Sequence, residues 1–246
     1  MLTSCHIVGL MTGRAYSYLQ FLLFFMFLGM LTGSVYCYLQ CLLFVIFVGL
    51  LTGSVYNDAD LQLNGFPGES VTDGSVIVVK THEWGPRPRS QFSGAILLVR
   101  DPVDCILSEF NRQAGGGHTG HAGVDSFKKE GGKRWKEFLK PKLIKWEAMN
   151  TDWINNFEGP LLVISYTQLQ NNLETQLKKI LEFLEVTVET LELSCAVSRQ
   201  EGVFMRPKRK LSGLLNKELV MLVNGSRKAV LDSINHKKSN STINKL

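Results

Sequence analysis

The chain has few cysteines and, over its first quarter, almost no charge. Its five cysteines among 246 residues are too few for a disulfide scaffold, and none forms the CxxC pair of a structural zinc site. Residues 15–57 contain no charged side chain, and no lysine precedes Lys80. The net charge of +5 does not by itself indicate nucleic-acid binding. With 45% hydrophobic and 20% charged residues, the composition excludes wholesale disorder and a coiled coil.

The uncharged segment is an internal repeat with a period of 20 residues. The stretch TGSVY occurs at 32–36 and again at 52–56. Two apolar runs, 18–31 and 38–51, are each shorter than the roughly 20 residues of a membrane span, but their joint carries no charge. The pattern therefore predicts one tilted span within 17–51. The alternative is a gene-model artefact that has no role in the fold.

The chain is predicted to have two parts and a tail. Residues 1–57 form the apolar repeat, residues 58–235 an ordinary globular domain, and residues 236–246 a flexible tail, because that end has almost no apolar content. Arg14 precedes the apolar runs and Asp58 follows them, which favours a cytoplasmic N-terminus and a lumenal body.

The globular part is predicted to be α/β. Runs of β-branched residues and leucine predict three buried strands. Segments with helical periodicity lie between and after them. The alternation predicts a parallel sheet flanked by helices. The predicted strands are 75–80, 94–99 and 161–166, and the predicted helices are 102–112, 126–140, 142–157 and 172–185.

The end of the second predicted strand is a candidate anion site. Arg100 follows that strand, and a helix is predicted to begin at once, with Asp101 as N-cap and Pro102 at the first helical position. A helix N-terminus at the carboxyl edge of a parallel sheet attracts anions, and a guanidinium fits phosphate oxygens. Ser108 would add a hydroxyl if its face turns to the same pocket. The alternative is an ion pair between Arg100 and Asp101 or Asp104.

The end of the first predicted strand carries Lys80-Thr81-His82. Alternation along an extended chain places Lys80 and His82 on the same side. A cation could neutralise a leaving group there, and an imidazole could accept the proton of an attacking hydroxyl. Glu83 is the rival base. The alternative for the whole motif is a pair of surface residues at a strand end.

Taken together, the two elements resemble sulfotransferases that use 3′-phosphoadenylyl sulfate. In that family the motif RxPxDxxxS holds the 3′-phosphate of the nucleotide. Here it corresponds to Arg100, Pro102, Asp104 and Ser108. The resemblance implies Arg100 and Ser108 as cofactor-binding residues.

The resemblance extends to other parts of the chain. A KTH at the end of an earlier strand implies Lys80 and His82 as catalytic residues. SYTQLQNNLETQLKKILEFLEV resembles a family segment whose strand-end tyrosine, here Tyr166, lies near the adenine. Arg206 begins a basic run that would reach the 3′-phosphate, its alternative being a solvated face.

Over roughly residues 52–206 the chain is most similar to the WSC-domain-containing, sialate-type sulfotransferases. The stretches that carry this likeness are TGSVYNDADLQLNGFPGE, KTHEWG, AILLVRDPVDCILSEFNRQAGGGHTGHA and EGVF.R. The likeness implies a glycan or glycoprotein acceptor, a membrane anchor, a Golgi lumenal domain, and neither nucleic acid nor metal.

One part of the family pattern is not found. Sulfotransferases have a first strand, loop and helix whose lysine-bearing loop grips the 5′-phosphosulfate. Its expected place, shortly before residue 52, holds the repeat. We therefore expect a P-loop NTPase-like sulfotransferase fold truncated at its first strand and loop, with weak or no activity, so enzyme status stays open. The alternatives are a non-catalytic, membrane-anchored relative, or a membrane protein of unrelated role that only keeps the fold.

Two further features carry weaker signals. His118 and His121 lie three apart in a glycine-rich loop, but two imidazoles without a third ligand do not predict a zinc site. Cys105 and Cys195 could pair in an oxidising lumen, although the sequence does not set their separation.

Overall fold

The structure, a computed structural model, describes residues 6–10, 53–55, 78–115, 120–198 and 213–240. In chain order its strands are β1 (His6–Leu10), β2 (Gly53–Val55), β3 (Val78–Thr81), β4 (Gly94–Val99) and β5 (Leu161–Ser165). Its helices are α1 (Pro86–Arg89), α2 (Pro102–Ala114), α3 (Val124–Asn156), α4 (Tyr166–Asn171), α5 (Leu173–Phe183), α6 (Thr190–Ser198) and α7 (Lys217–Asn240).

The strands form one sheet in the order β2-β3-β1-β4-β5, flanked by helices, which confirms the α/β class. β4 and β5 are parallel neighbours, with Ala95 opposite Leu161 and Val99 opposite Ser165. β2 is parallel to β3.

β3 and β4 are not neighbours, although the alternation of strands and helices led us to expect the three predicted strands to be parallel neighbours. β1 lies between them and runs antiparallel to both, pairing Ile7 with Thr81 and His6 with Leu98. β3, β4 and β5 therefore share one direction, but the sheet is mixed. Because β1 comes from the N-terminal segment, the local patterns of β3 and β4 could not reveal that it separates them.

The helix after β4 begins as predicted. The Asp101 carboxylate accepts hydrogen bonds from the main-chain N–H groups of Val103 (2.9 Å) and Asp104 (3.4 Å), and Pro102 takes the first helical position. The helix continues two residues beyond the predicted end at 112.

α3 is one helix where two were predicted. Pro141 lies inside it and is exposed, while Leu139 and Leu143 on either side are buried in the same core. That shared burial offsets the lost main-chain hydrogen bond, which is why the helix continues through the proline. The backbone departs from helical geometry elsewhere, at Gly131 (φ 62°) and Gly132 (φ 79°).

Other element boundaries differ from those predicted from the local pattern of polar and apolar residues. Tyr166 begins α4 instead of ending β5, and Asn172 separates α4 from α5 within the predicted helix 172–185. α7 runs to Asn240, so residues 236–240 are helical and not part of a tail. Residues 241–246 lie outside the described residues.

The core lies between the sheet and the helices α2, α3 and α7. α3 contributes its largest side chains, and α7 packs against α3 through a stripe of apolar residues. The largest fully buried side chains include Trp135, Trp146, Trp153, Phe110, Leu97, Ile106 and Leu219.

No helix in the described ranges is both long enough and apolar enough to cross a bilayer. The span predicted within 17–51 lies outside those ranges.

The positive φ of Gly131 makes a testable prediction. Gly131→Ala should destabilise the protein by about 1 kcal/mol, because a Cβ disfavours the left-handed region. The matched control is Gly225→Ala on the exposed side of α7. No atom lies within 4 Å of the Cβ that alanine would add there, and the substitution should stabilise by about 0.5–1 kcal/mol. Urea unfolding measures both free energies. If Gly131→Ala stabilised the protein, or if the two variants had the same free energy of unfolding, the backbone geometry of α3 would be contradicted.

Candidate functional site

The candidate site lies at one edge of the sheet. Since β3, β4 and β5 run in the same direction, their carboxyl ends meet at this edge. His82 follows β3, Arg100 follows β4, and Tyr166 follows β5. The topology thus brings three of the predicted site residues to a common edge, although they are separated by up to 84 positions in sequence.

Arg100 and Tyr166 are in direct contact. The guanidinium carbon lies 4.6 Å from the centre of the Tyr166 ring, a cation–π distance. The contact follows from the sheet, because Val99 pairs with Ser165 and these residues immediately precede the two side chains. A planar cation stacked on a ring at adjacent strand ends is a platform suited to a negatively charged aromatic ligand.

The Nε atom of Arg100 is buried and has no hydrogen-bond partner among the described residues. Buried N–H groups are almost always paired, so this donor marks a place for an acceptor. The alternative prediction, an ion pair between Arg100 and Asp101 or Asp104, is not formed among the described residues. Asp101 instead pairs with Arg227 of α7, at 2.6 Å.

Two tryptophans of α3 hold the strand ends that carry the site. The indole N–H of Trp146 donates to the carbonyl oxygen of Arg100, and that of Trp153 donates to the carbonyl oxygen of Glu83, each at 3.1 Å. The two side chains are seven residues apart, which is about 10 Å along a helix. α3 therefore sets the spacing between the ends of β3 and β4.

The loop after β3 is held at a second point by Asp152, next to Trp153. Its carboxylate accepts hydrogen bonds from the Gly85 main-chain N–H (2.8 Å), from Asn156 (2.9 Å) and from the Arg89 guanidinium. Burial of Asp152 raises the pKa of its carboxyl, but the three hydrogen bonds and the Arg89 charge outweigh that effect. Its pKa therefore lies below the ordinary aspartate value.

Asn150, between the two tryptophans, is fully buried. Its Nδ2 donates to the Trp146 carbonyl at 2.7 Å, while its Oδ1 has no hydrogen-bond partner among the described residues. The bond to a carbonyl fixes which end of the amide carries the nitrogen.

The structure describes only some of the remaining predicted site residues. His82 is buried, with 8% of its surface exposed, and Ser108 is half-buried on α2. The main chain of Lys80 in β3 pairs with that of Val8 in β1, and the side chain of Lys80 is not among the described parts of the structure. Arg206 and His118 lie outside the described residues. The convergence of Ser108, Lys80 and Arg206 on one pocket stays a prediction.

Cys105 is a buried thiol and forms no disulfide. The pairing with Cys195 considered from sequence is therefore wrong for this structure. The described residues also contain no group of side chains that could hold a metal ion.

Comparison with known proteins agrees with the motifs. Residues 93–190 match the model of the Sulfotransferase family. This segment is therefore similar to members of the sulfotransferase family. It contains β4, α2, α3, β5 and α4, and with them Arg100 and Tyr166.

Three curated relatives extend the match. The chain is 48% identical over 155 residues to a WSCD family member of Drosophila pseudoobscura pseudoobscura and 47% identical over 155 residues to one of Drosophila melanogaster. It is 48% identical over 154 residues to one of Aedes aegypti. Each match covers 63% of this chain and 48–49% of the relative. The chain therefore spans about half the length of the curated relatives it matches. These matches confirm the likeness that the motifs predicted.

Sequence reasoning missed the α3 residues that brace the site. Trp146 and Trp153 lie on one helical face by their spacing, so their burial could be anticipated. Their partners could not, because Arg100 and Glu83 are 46 and 70 positions away. From sequence, Asp152 cannot be distinguished from other polar residues of an amphipathic helix, because its contacts depend on where the loop after β3 lies.

The Asp152 contacts predict a pH dependence. The folded pKa of Asp152 is below the unfolded one, so its contribution is complete above about pH 4 and is lost as the pH falls through the folded pKa. Asp152→Asn should cost about 1–2 kcal/mol at pH 7, and its difference from wild type should shrink below pH 4. Urea unfolding at several pH values measures this.

Asp232→Asn is the control, since it removes only an exposed ion pair with Lys228 on α7. It should cost about 0.5 kcal/mol or less at pH 7. An Asp152→Asn effect that is no larger than this control would mean that the carboxylate does not hold the loop.

Proposed function

We propose that this chain binds 3′-phosphoadenylyl sulfate at the carboxyl edge of its sheet and is a sulfotransferase-type protein acting on a carbohydrate hydroxyl. The observation that carries the proposal is Arg100 stacked on Tyr166, with a buried Nε that has no acceptor among the described residues. The match of residues 93–190 to the sulfotransferase family supports it.

The nucleotide end of the ligand fits the β4–β5 end of the site. A phosphate oxygen would supply the acceptor that Nε of Arg100 lacks, and the remaining guanidinium N–H groups can bond a second oxygen. The N-terminus of α2 adds a positive dipole end, and Tyr166 offers an aromatic surface beside an adenine. Ser108 and Arg206 are proposed as further contacts to the 3′-phosphate.

The transfer end lies at β3. In the proposed step the acceptor oxygen forms a bond to sulfur while the bond between sulfur and the 5′-phosphate oxygen breaks. His82 accepts the hydroxyl proton, and Lys80 offsets charge on the departing adenosine 3′,5′-bisphosphate. The spacing of about 10 Å that α3 sets between the strand ends leaves room for a nucleotide to span the two sites.

We propose a glycan or glycoprotein as the acceptor, since residues 93–190 match the sulfotransferase family and the motifs resemble its sialate-type members. We also propose that the globular part lies in the Golgi lumen and that segment 17–51 enters a membrane as a hairpin and not as a single span, since His6–Leu10 before it and Gly53–Val55 after it belong to one sheet and so lie on the same side of the membrane. The absence of charge between residues 15 and 57 supports the membrane segment.

A non-catalytic relative is the second candidate function, and the position of β1 favours it. β1 is antiparallel, so at the site edge between β3 and β4 it begins rather than ends. A loop leading from a strand to a helix therefore does not leave β1 at this edge, and residues 1–79 contain no lysine to grip a phosphosulfate.

The nucleotide proposal predicts that Arg100→Ala weakens binding of adenosine 3′,5′-bisphosphate about 30-fold or more, as expected when a charge-assisted contact worth about 2 kcal/mol is lost. Isothermal titration calorimetry measures the affinity. Arg134→Ala is the control, because Arg134 is exposed and stacks on Phe110 away from the strand ends; its affinity should equal that of wild type. Equal affinities for wild type and Arg100→Ala would exclude this site.

Assays of sulfuryl transfer from 3′-phosphoadenylyl sulfate separate the two functions. Any turnover by wild type should fall about 10²–10⁴-fold in His82→Ala, the usual contribution of a positioned base. Nucleotide affinity should stay unchanged. Nucleotide binding without turnover would establish the non-catalytic relative. If Glu83→Gln is inactive and His82→Ala is active, Glu83 is the base and the assignment of His82 is wrong.

A further inference from the structure

The four tryptophans divide into two groups. Three are 0–2% exposed, and each donates its indole N–H to a main-chain carbonyl oxygen, at Leu214, Arg100 or Glu83. Trp84 is 36% exposed and does not belong to the buried core. An exposed indole contributes little to folding compared with a buried one, so the core does not explain why tryptophan stands at this position.

Trp84 lies at the transfer end of the candidate site. It is two residues beyond His82 and three beyond the end of β3. The contact between Arg100 and Tyr166 occupies the ends of β4 and β5, on the other side of β1 in the sheet. The edge therefore carries two aromatic surfaces, one at each end, and Trp84 is the one beside the proposed base.

The backbone on both sides of Trp84 is held in place. The Glu83 N–H donates to the Thr81 hydroxyl at 3.0 Å, and the Glu83 carbonyl accepts from Trp153. The Gly85 N–H donates to Asp152 at 2.8 Å. These bonds anchor both neighbours of Trp84, so little backbone entropy remains to be lost when its indole meets a ligand.

Gly85 adds a second constraint. Its φ of 103° lies in the region that L-residues rarely adopt, and it precedes the short helix α1. The chain bends directly after Trp84, while both neighbours of Trp84 are tied to α3 and its indole stays partly exposed.

We propose that Trp84 is the acceptor-binding platform, on which the apolar C–H face of a pyranose ring stacks while one of its hydroxyls reaches His82. The inference rests on the proposed carbohydrate acceptor and adds the residue that selects it. An indole has a broad apolar face and a polar N–H at one edge, a combination that matches a sugar ring with its apolar face and polar rim.

The test uses the full 246-residue chain labelled with ¹⁵N, with lactose and sialyllactose as probes. The four indole N–H groups give four signals, and Trp84→Phe identifies that of Trp84. We expect a probe sugar to shift the Trp84 signal and to leave the three buried indoles unmoved. Adenosine 3′,5′-bisphosphate should not shift the Trp84 signal.

Affinities from these titrations give the second measurement. Trp84→Ala should weaken the better probe about tenfold or more, and Trp84→Phe should weaken it less, because a smaller ring keeps part of the stacking surface. Leu231→Ala, an exposed apolar truncation on α7, is the control and should bind like wild type. Nucleotide affinity should be unchanged in all three variants.

The outcomes separate this inference from the proposed function. Sugar binding that is equal in wild type and Trp84→Ala, with nucleotide binding intact, overturns the platform alone. A wild-type chain that binds nucleotide but neither sugar overturns both the platform and the carbohydrate acceptor. A chain that does not bind nucleotide overturns the proposed function whatever the sugars do, and loss of nucleotide binding in Trp84→Ala places Trp84 in the nucleotide site instead.

Discussion

The structure around the site depends on two hydrogen bonds from tryptophans of α3 to main-chain carbonyls at strand ends. A carbonyl just past the end of a strand has no partner in the sheet, and leaving it buried without one costs about 1–3 kcal/mol. Trp146 and Trp153 satisfy the carbonyls of Arg100 and Glu83 while their rings fill the core. The same interactions that complete the core therefore position both halves of the candidate site.

The two proposed halves of the candidate site, one for the nucleotide and one for transfer, differ in how they are built. The nucleotide half is local, because Arg100, the cap of α2 and Tyr166 all follow from two adjacent parallel strands. The transfer half combines β3, the loop after it and α3, which meet only in the folded chain. β1 lies between these halves and runs in the opposite direction, and for that reason the proposed nucleotide binding and the proposed transfer can be tested separately.

Several features could be predicted from residue patterns alone. The strand 94–99, the Asp101 cap and the proline at the first turn of α2 depend on neighbours within a few residues, so their chemistry is visible in the sequence. The parallel pairing of β4 with β5 follows from the helices that connect them. The two predicted helices on either side of Pro141 form one helix, α3, since burial on both sides of the proline outweighs its missing hydrogen bond, and the positive φ angles lie instead at Gly131 and Gly132.

The sequence by itself determined the likeness to sulfotransferases, the α/β class and the chemical character of Arg100, His82 and Tyr166, because motifs with fixed short spacing carry that information. Only the tertiary structure decided that β1 separates β3 from β4, that Asp101 pairs with Arg227, and that α3 holds both strand ends. These contacts join residues 46 to 126 positions apart. Such pairs are selected by the packing of whole helices against a sheet, and no local propensity specifies them.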